Sequence, residues 1–389
     1  MSKAIYALSG DPITNGHMNI IERAAEVFDE LIIAIGYNVE KRYLFSIDER
    51  REMAELATHH LQNVGVKPFT GMLSDFAIEN NATVIVRGVR NSSDFEFEQQ
   101  VHNVGLTQNN ELETMLLMCD PSLSHISSST VKGLVESGGD VSKYVPMVVK
   151  CFLEERMLHK HVIGVTGSIA CGKSTLCEQL ATRQNWTNID LDHLAHEILA
   201  GVNLTPFEQA TLEKVFHQFP KSRYLHDDGY FYADRGALAS EVFGEMNVNK
   251  RQILEDILRD AIQLKIKRAV LMADQGIVML NSALIAEQGL MSMCNNRVVL
   301  VEASEEVQME RLIKARGLTK KQARRRLESQ MRPDTKLRVI DETIENDGFG
   351  AFIRVVTDDL DLTNRDVENG IADRINEFVS LRNVEQLVG

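Results

Sequence analysis

The sequence predicts an α/β protein of two domains, and three observations carry that expectation. The chain is 389 residues long, more than one ordinary core of about 100–200 residues accounts for. An apolar strand-like run, a glycine-containing turn and a helical pattern follow one another twice, starting at residue 4 and again at residue 161. Each reads as the opening of a parallel βαβ unit. Further apolar runs alternate with helical periodicity in both halves, so neither half reads as all-α or all-β.

In the first half, residues 4–8 form the opening strand, 9–16 the turn and 18–28 an amphipathic helix. Strands are expected at 31–35, 83–86 and 113–118, and residues 145–159 read as a terminal helix. In the second half the strand at 161–166 runs into a turn at 167–172 and a helix from Lys173 on. A strand-like run ends near Asp190, others cover 277–280 and 297–301, and a last helix spans 367–381. The boundary falls near Lys160, giving domains at 1–160 and 161–389. No Pro-, Gly- or Ser-rich linker marks it, which implies domains held close to each other.

Composition narrows the classes. Charged residues make up 25% and the hydrophobic set 44%, a globular balance that excludes dominant disorder. No apolar run approaches the roughly 18–20 residues of a membrane span, and the N-terminus has no signal or transit pattern. Five cysteines form no CxxC pair, which reads as reduced thiols in the cytoplasm. The net charge of -14 divides into -8 over residues 1–160 and -6 over the remainder. Neither half is a polyanion binder, so neither nucleic acid nor an acidic membrane surface is an expected partner. Phosphates must instead be held by single cations and backbone N–H groups.

The first turn reads Ser9-Gly10-Asp11-Pro12-Ile13-Thr14-Asn15-Gly16-His17. It places Thr14 to His17 at a helix N-terminus, where free N–H groups and the helix dipole attract phosphate. His17 can donate to a phosphoryl oxygen as charge builds in a transition state. Arg87-Gly88-Val89-Arg90 follows an apolar strand, Glu98 offers an acidic partner, and Ser127-Ser128-Ser129 opens a helix carrying Lys132. Simple N-capping would also account for the serines.

Together, over about residues 3–158, these segments resemble bacterial phosphopantetheine adenylyltransferase, of the nucleotidyltransferase superfamily with the T/H-x-G-H signature. The resemblance implies a Rossmann-like domain that transfers AMP from ATP to 4′-phosphopantetheine, giving dephospho-coenzyme A and pyrophosphate. It implies catalytic roles for His17, Thr14, Lys41 and Arg90. Ser9, Lys41, Leu73 and Arg87 would hold phosphopantetheine. ATP would lie on Ser9, Gly10, His17, Gly88, Val89, Arg90, Glu98 and Ser127 to Ser129, with Mg²⁺ on its phosphates. Assembly of copies through the N-terminal domain is a further implication. The chain departs from the family's G-[ST]-F-D-P turn at Leu8-Ser9-Gly10.

The second turn, Gly167-Ser168-Ile169-Ala170-Cys171-Gly172-Lys173-Ser174, satisfies G-x-x-x-x-G-K-[ST] between a strand and a helix. In that context backbone N–H groups cradle a β-phosphate, Lys173 reaches the β/γ oxygens, and Ser174 ligates Mg²⁺. Cys171 reads as an ordinary small residue of the loop, although a thiol there could be oxidant-sensitive. Asp192, past a strand end, can accept the proton of an attacking hydroxyl. The basic run Lys320, Lys321, Arg324 to Arg326 reads as a solvated face or a lid over phosphates. Residues 161–355 resemble dephospho-coenzyme A kinase, a P-loop α/β domain with a helical lid. That implies phosphorylation of the ribose 3′-hydroxyl of dephospho-coenzyme A. Asp192 would be the base and Lys173 catalytic, while Gly167, Ala170, Cys171, Gly172, Lys173, Ser174, Thr175 and Arg316 would contact ATP. Arg259-Asp260 and Ala283 stand where the family has His-Pro and Pro. The first product being the second substrate, the expected whole is a bifunctional enzyme of the last two steps of coenzyme A synthesis. The alternative leaves the second half with another acceptor or as a nucleotide-binding module.

Overall fold

The computed structural model describes residues 2–38, 41–108, 112–225, 231–242, 248–315, 317–328, 330–362 and 364–381. The first half contains β1 (Lys3–Leu8), α1 (Asn15–Val27), β2 (Glu30–Gly36), α2 (Ile47–Thr58), β3 (Val64–Phe69), α3 (Leu73–Glu79), β4 (Val84–Val89), α4 (Ser92–Gln108), β5 (Glu113–Met118), α5 (Ser128–Glu136) and α6 (Met147–Leu153). Its five strands form one sheet in the order β3-β2-β1-β4-β5, every pairing parallel. The central strands are near-continuous apolar runs because helices cover both faces. Ile5, Ile32, Ile33 and Val86 are all essentially inaccessible.

Two expectations need correction here. β4 extends through Val89, so Arg87 and Gly88 lie within the strand and only Arg90 follows it. β3, carrying Gly65 and Pro68, is not apparent in the sequence. It is an edge strand paired only to β2, where a missing N–H and a missing side chain are tolerated.

The second half contains β6 (Lys160–Gly167), α7 (Lys173–Gln184), β7 (Thr187–Asp190), α8 (Leu191–Leu199), α9 (Pro206–Gln218), β8 (Arg223–Leu225), β9 (Phe231–Ala233), α10 (Arg235–Val242), α11 (Val248–Met272), β10 (Gly276–Asn281), β11 (Arg297–Glu302), α12 (Glu305–Lys314), α13 (Lys320–Glu328), α14 (Pro333–Asp347), β12 (Ala351–Val356) and α15 (Arg365–Ser380). The main sheet runs β12-β11-β6-β10-β7, again all parallel. α8 to α11 and the β8–β9 hairpin build a separate core around Leu212, Phe216, Phe219 and Leu238 beside it. The last helix starts on the N-cap Asn364, whose side chain accepts from Asp366 N. Among the described residues, no helix is long and apolar enough to cross a membrane.

The expected helix over 145–159 is present over 147–158, in two forms. α6, buried along its whole length, passes into a π-turn at Glu154–Leu158 that ends on His159 in the left-handed conformation. β6 starts at the next residue. The seam beside this join carries a polar network. Lys150, 3% exposed, pairs with Glu154 at 2.7 Å and donates to Asn295 Oδ1, while Asn295 Nδ2 donates to Glu154 at 2.7 Å. Phe349, between α14 and β12, packs into the core of the first half.

Candidate active sites

In the first half, the carboxyl end of β1 and the start of α1 open onto a cavity of about 590 Å³. Ser9, Thr14, His17, Lys41, Gly88, Arg90, Glu98 and Ser127 to Ser129 all line it. Thr14 is the N-cap of α1. Its backbone N–H donates to His17 Nδ1 at 3.0 Å, and its hydroxyl lies 2.9 Å from the same atom. Since Nδ1 accepts, the ring proton sits on Nε2. Burial, helped by the Arg90 charge, lowers the His17 pKa to about 4. The ring is thus a neutral N–H donor at the site.

Arg90 is held in place: its Nε and backbone N–H donate to Asp94 Oδ2 at 3.0 and 3.1 Å, and Nη1 donates to Ile126 O at 3.3 Å. Arg87 pairs instead with Glu98 at 3.1 Å and does not line the cavity. Burial raises the Glu98 pKa, against the pull of Arg87. Ser127 caps α5, accepting from Thr130 N at 3.1 Å, and Ser128 Oγ donates to Pro12 O at 2.8 Å. The capping role of the serines is therefore realised, and Ser129 is exposed at the cavity wall.

Gly10, Val89 and Leu73 do not line the cavity; Leu73 opens α3. Gly10 is in the left-handed conformation, and a Cβ there would meet Leu8 and Ile35 at ordinary contact distance. Leu8 thus occupies the room beside the turn. Sequence reasoning missed Asp11. Its buried carboxylate accepts from Leu44 N and Phe45 N at 3.0–3.1 Å and pairs with Lys132 at 2.7 Å. It ties the turn both to the loop carrying Lys41 and to α5.

In the second half, β6 ends in the glycine turn and α7 begins, beside a cavity of about 540 Å³. Ala170, Cys171, Gly172, Lys173, Ser174, Thr175 and Asp192 line it together. Gly167 does not, but it makes the turn possible: a Cβ there would lie 2.1 Å from Val301 O. Lys173 donates to Asn281 Oδ1 at the end of β10. Asp190 caps α8 by accepting from Asp192 N and His193 N at 2.9 and 3.1 Å, which sets Asp192 in the first turn of that helix. Burial raises the Asp192 pKa, with Lys173 opposing and Asp190 adding to it. Cys171 is buried and its thiol pKa is raised by burial, which fits the reading of an ordinary small residue in the loop.

Gln330 Oε1 accepts from the loop amide of Ile169 at 2.7 Å. Arg316 lies outside the described residues. Arg259 pairs with Asp256 on the exposed face of α11. Ala283 lines the cavity and its carbonyl accepts from the buried Lys336, which also pairs with Glu287 at 3.0 Å. Arg311 and Asp361, both missed in the sequence, also line the cavity. No local pattern marks either, because each reaches the loop only through the tertiary fold.

Comparison with known proteins fits this geometry. Over 159 residues the chain is 43% identical to phosphopantetheine adenylyltransferase from Syntrophomonas wolfei, covering 41% of this chain and 99% of that protein. The chain belongs to that family. The enzyme of the same name from Shouchella clausii is likewise 43% identical, over 40% of this chain and 98% of its own. A cytidylyltransferase-like family model matches residues 9–134, and a dephospho-CoA kinase model matches residues 161–351. The chain is thus a fusion, a phosphopantetheine adenylyltransferase domain followed by a dephospho-CoA kinase domain. A solved dephospho-CoA kinase from Campylobacter jejuni aligns at 23% identity and a TM-score of 0.34, over 57% of this chain and 98% of that one.

Proposed function

We propose that the chain performs the last two steps of coenzyme A synthesis in two separate sites, one in residues 1–160 and one in 161–389. Two cavities of about 590 and 540 Å³, each at the carboxyl end of a central parallel strand, the first gathering Thr14, His17, Lys41 and Arg90 and the second Lys173, Ser174 and Asp192, support this reading.

In the first site the phosphate of 4′-phosphopantetheine attacks the α-phosphorus of ATP, and pyrophosphate leaves. The nucleophile is already an anion, so no general base is needed and the protein supplies position and charge stabilisation. His17 Nε2–H and Thr14 face the α-phosphate, and Lys41 and Arg90 neutralise charge. Ser9 is the contact for the acceptor phosphate nearest the turn.

In the second site Asp192 takes the proton of the dephospho-coenzyme A 3′-hydroxyl as that oxygen bonds the γ-phosphorus, and ADP leaves. The loop amides and Lys173 hold the phosphates. Magnesium fits the donor set. The Ser174 hydroxyl and the Asp192 carboxylate both line the cavity. That suits an ion bound largely through substrate phosphates and water, which would neutralise charge on the transferring group.

The test follows products. With ATP and 4′-phosphopantetheine the chain makes coenzyme A; His17→Ala blocks formation of dephospho-coenzyme A, and Asp192→Ala lets it accumulate. ATP binding without phosphate transfer to dephospho-coenzyme A would leave the second half as a nucleotide-binding module instead.

A further inference from the structure

A loop whose amides point at phosphate must turn its carbonyls away, because C=O and N–H of one planar trans peptide point in opposite directions. Each outward carbonyl then needs a donor of its own. In the second-half loop two carbonyls find donors more than a hundred residues away. Arg311, on α12, donates from Nη1 to Ala170 O at 3.1 Å and to Thr357 Oγ1 at 3.0 Å, and from Nη2 to Thr357 O at 2.9 Å. Thr357, wholly buried just after β12, donates its hydroxyl to Cys171 O at 2.7 Å. Its backbone N–H donates to Glu302 O at 2.9 Å, which anchors it to the end of β11.

The pair is built tightly against the loop. Ala170 is held at a φ of +60°. A Cβ on Gly172 would stand 3.4 Å from Thr357 Oγ1 and 3.5 Å from Arg311 Nη1. The carbonyl of Ala170 shares its peptide with the N–H of Cys171, and that of Cys171 with the N–H of Gly172. The Cys171 N–H is itself held within the loop, donating to Ser168 O at 3.4 Å. Fixing the Cys171 carbonyl therefore fixes the plane of the peptide that carries the Gly172 N–H.

We propose that Arg311 and Thr357 are positioning residues for the kinase reaction, which hold the two peptides after Ala170 and Cys171, and with them the Gly172 amide, in register before ATP arrives. This rests on the reading of the second half as an ATP-using kinase. Preorganised donors spare the cost of ordering them at binding, so the effect falls on ATP and not on the acceptor.

The experiment uses the full chain, whose adenylyl transfer serves as an internal control of folding. Thr357→Val keeps the shape and removes the donor to Cys171 O; Arg311→Ala removes the donor to Ala170 O and the two bonds that hold Thr357. Each is expected to raise the KM for ATP in the kinase assay about tenfold or more, as loss of a buried or charged donor implies. The KM for dephospho-coenzyme A and adenylyl transfer should stay as in the parent chain. Added guanidinium should restore part of the loss in Arg311→Ala and none in Thr357→Val. An unchanged KM for ATP in both variants, or an equal rise for both substrates, overturns the proposal. If the parent chain makes no ADP in response to dephospho-coenzyme A, the kinase reading fails. The positioning role is then read from the component of ATP binding that Lys173→Ala removes. Its loss in Thr357→Val supports the role, and its retention overturns it.

Discussion

His17 and Asp192 carry opposite demands, and burial acts on both. Burial lowers the histidine to about 4 and raises the aspartic acid, each toward its uncharged form. For His17 the uncharged form is the working donor, so adenylyl transfer should show no acid limb at the ordinary histidine value near 6.5. The unfolded chain binds the proton more readily between about 4 and 6.5, so stability falls as pH drops through that window. A limb near 6.5 that disappears in His17→Ala would contradict this assignment. His17→Ala itself should cut turnover by about 10²-fold or more while substrate affinity holds. For Asp192 the charged form works, so the acid limb of the kinase should lie above the usual carboxylate range. Asp192→Asn should cost about 10²-fold or more in phosphate transfer with ATP affinity retained. Loss of both together would point to a structural role.

Among the elements, the two strand–turn–helix units differ in what their glycines do, and substitution separates the two. At Gly10 a methyl group finds ordinary room but a left-handed backbone, so Gly10→Ala should cost about 1 kcal/mol. At Gly167 a methyl would strike the Val301 carbonyl, a backbone atom that cannot step aside. Gly167→Ala should cost about 3 kcal/mol or more and remove ATP binding in the second half. Denaturant unfolding of the two variants checks the order.

The same units explain what was legible in the sequence. β1, β2, β6, β10 and β11 are central, covered on both faces and therefore apolar throughout, and the turns after β1 and β6 carry their motifs locally. β3 and β12 are edge strands in which Gly65, Pro68 or Arg354 interrupts the pattern at little cost, whereas the edge strands β5 and β7 lack such an interruption and were legible. The site residues within a motif were readable in the same way. Asp11, Arg311 and Thr357 were not, because each earns its place through partners 33 to 186 positions away.

At the scale of the whole molecule, the seam between the halves is a buried charge network. Burial works against the charge on Lys150, yet Glu154 more than offsets it and the pKa is raised. Lys150→Met would leave Glu154 and Asn295 without that partner inside the interface. Breaking such a pair should cost about 3 kcal/mol or more, and both activities should be lost over one thermal transition. Separate loss of the two activities would show halves that unfold independently.

His159 alone stands between the last helical turn of the first half and β6, and this leaves the chain no tether. The two enzymes are therefore made and degraded together, in a one-to-one ratio that expression level cannot alter. At given substrate levels, whether dephospho-coenzyme A accumulates then depends on rate constants and not on the amount of protein: the turnover of the first site set against the kcat/KM of the second. More protein scales both fluxes equally. Only a substitution, or a ligand that acts on one site, can shift the balance between them.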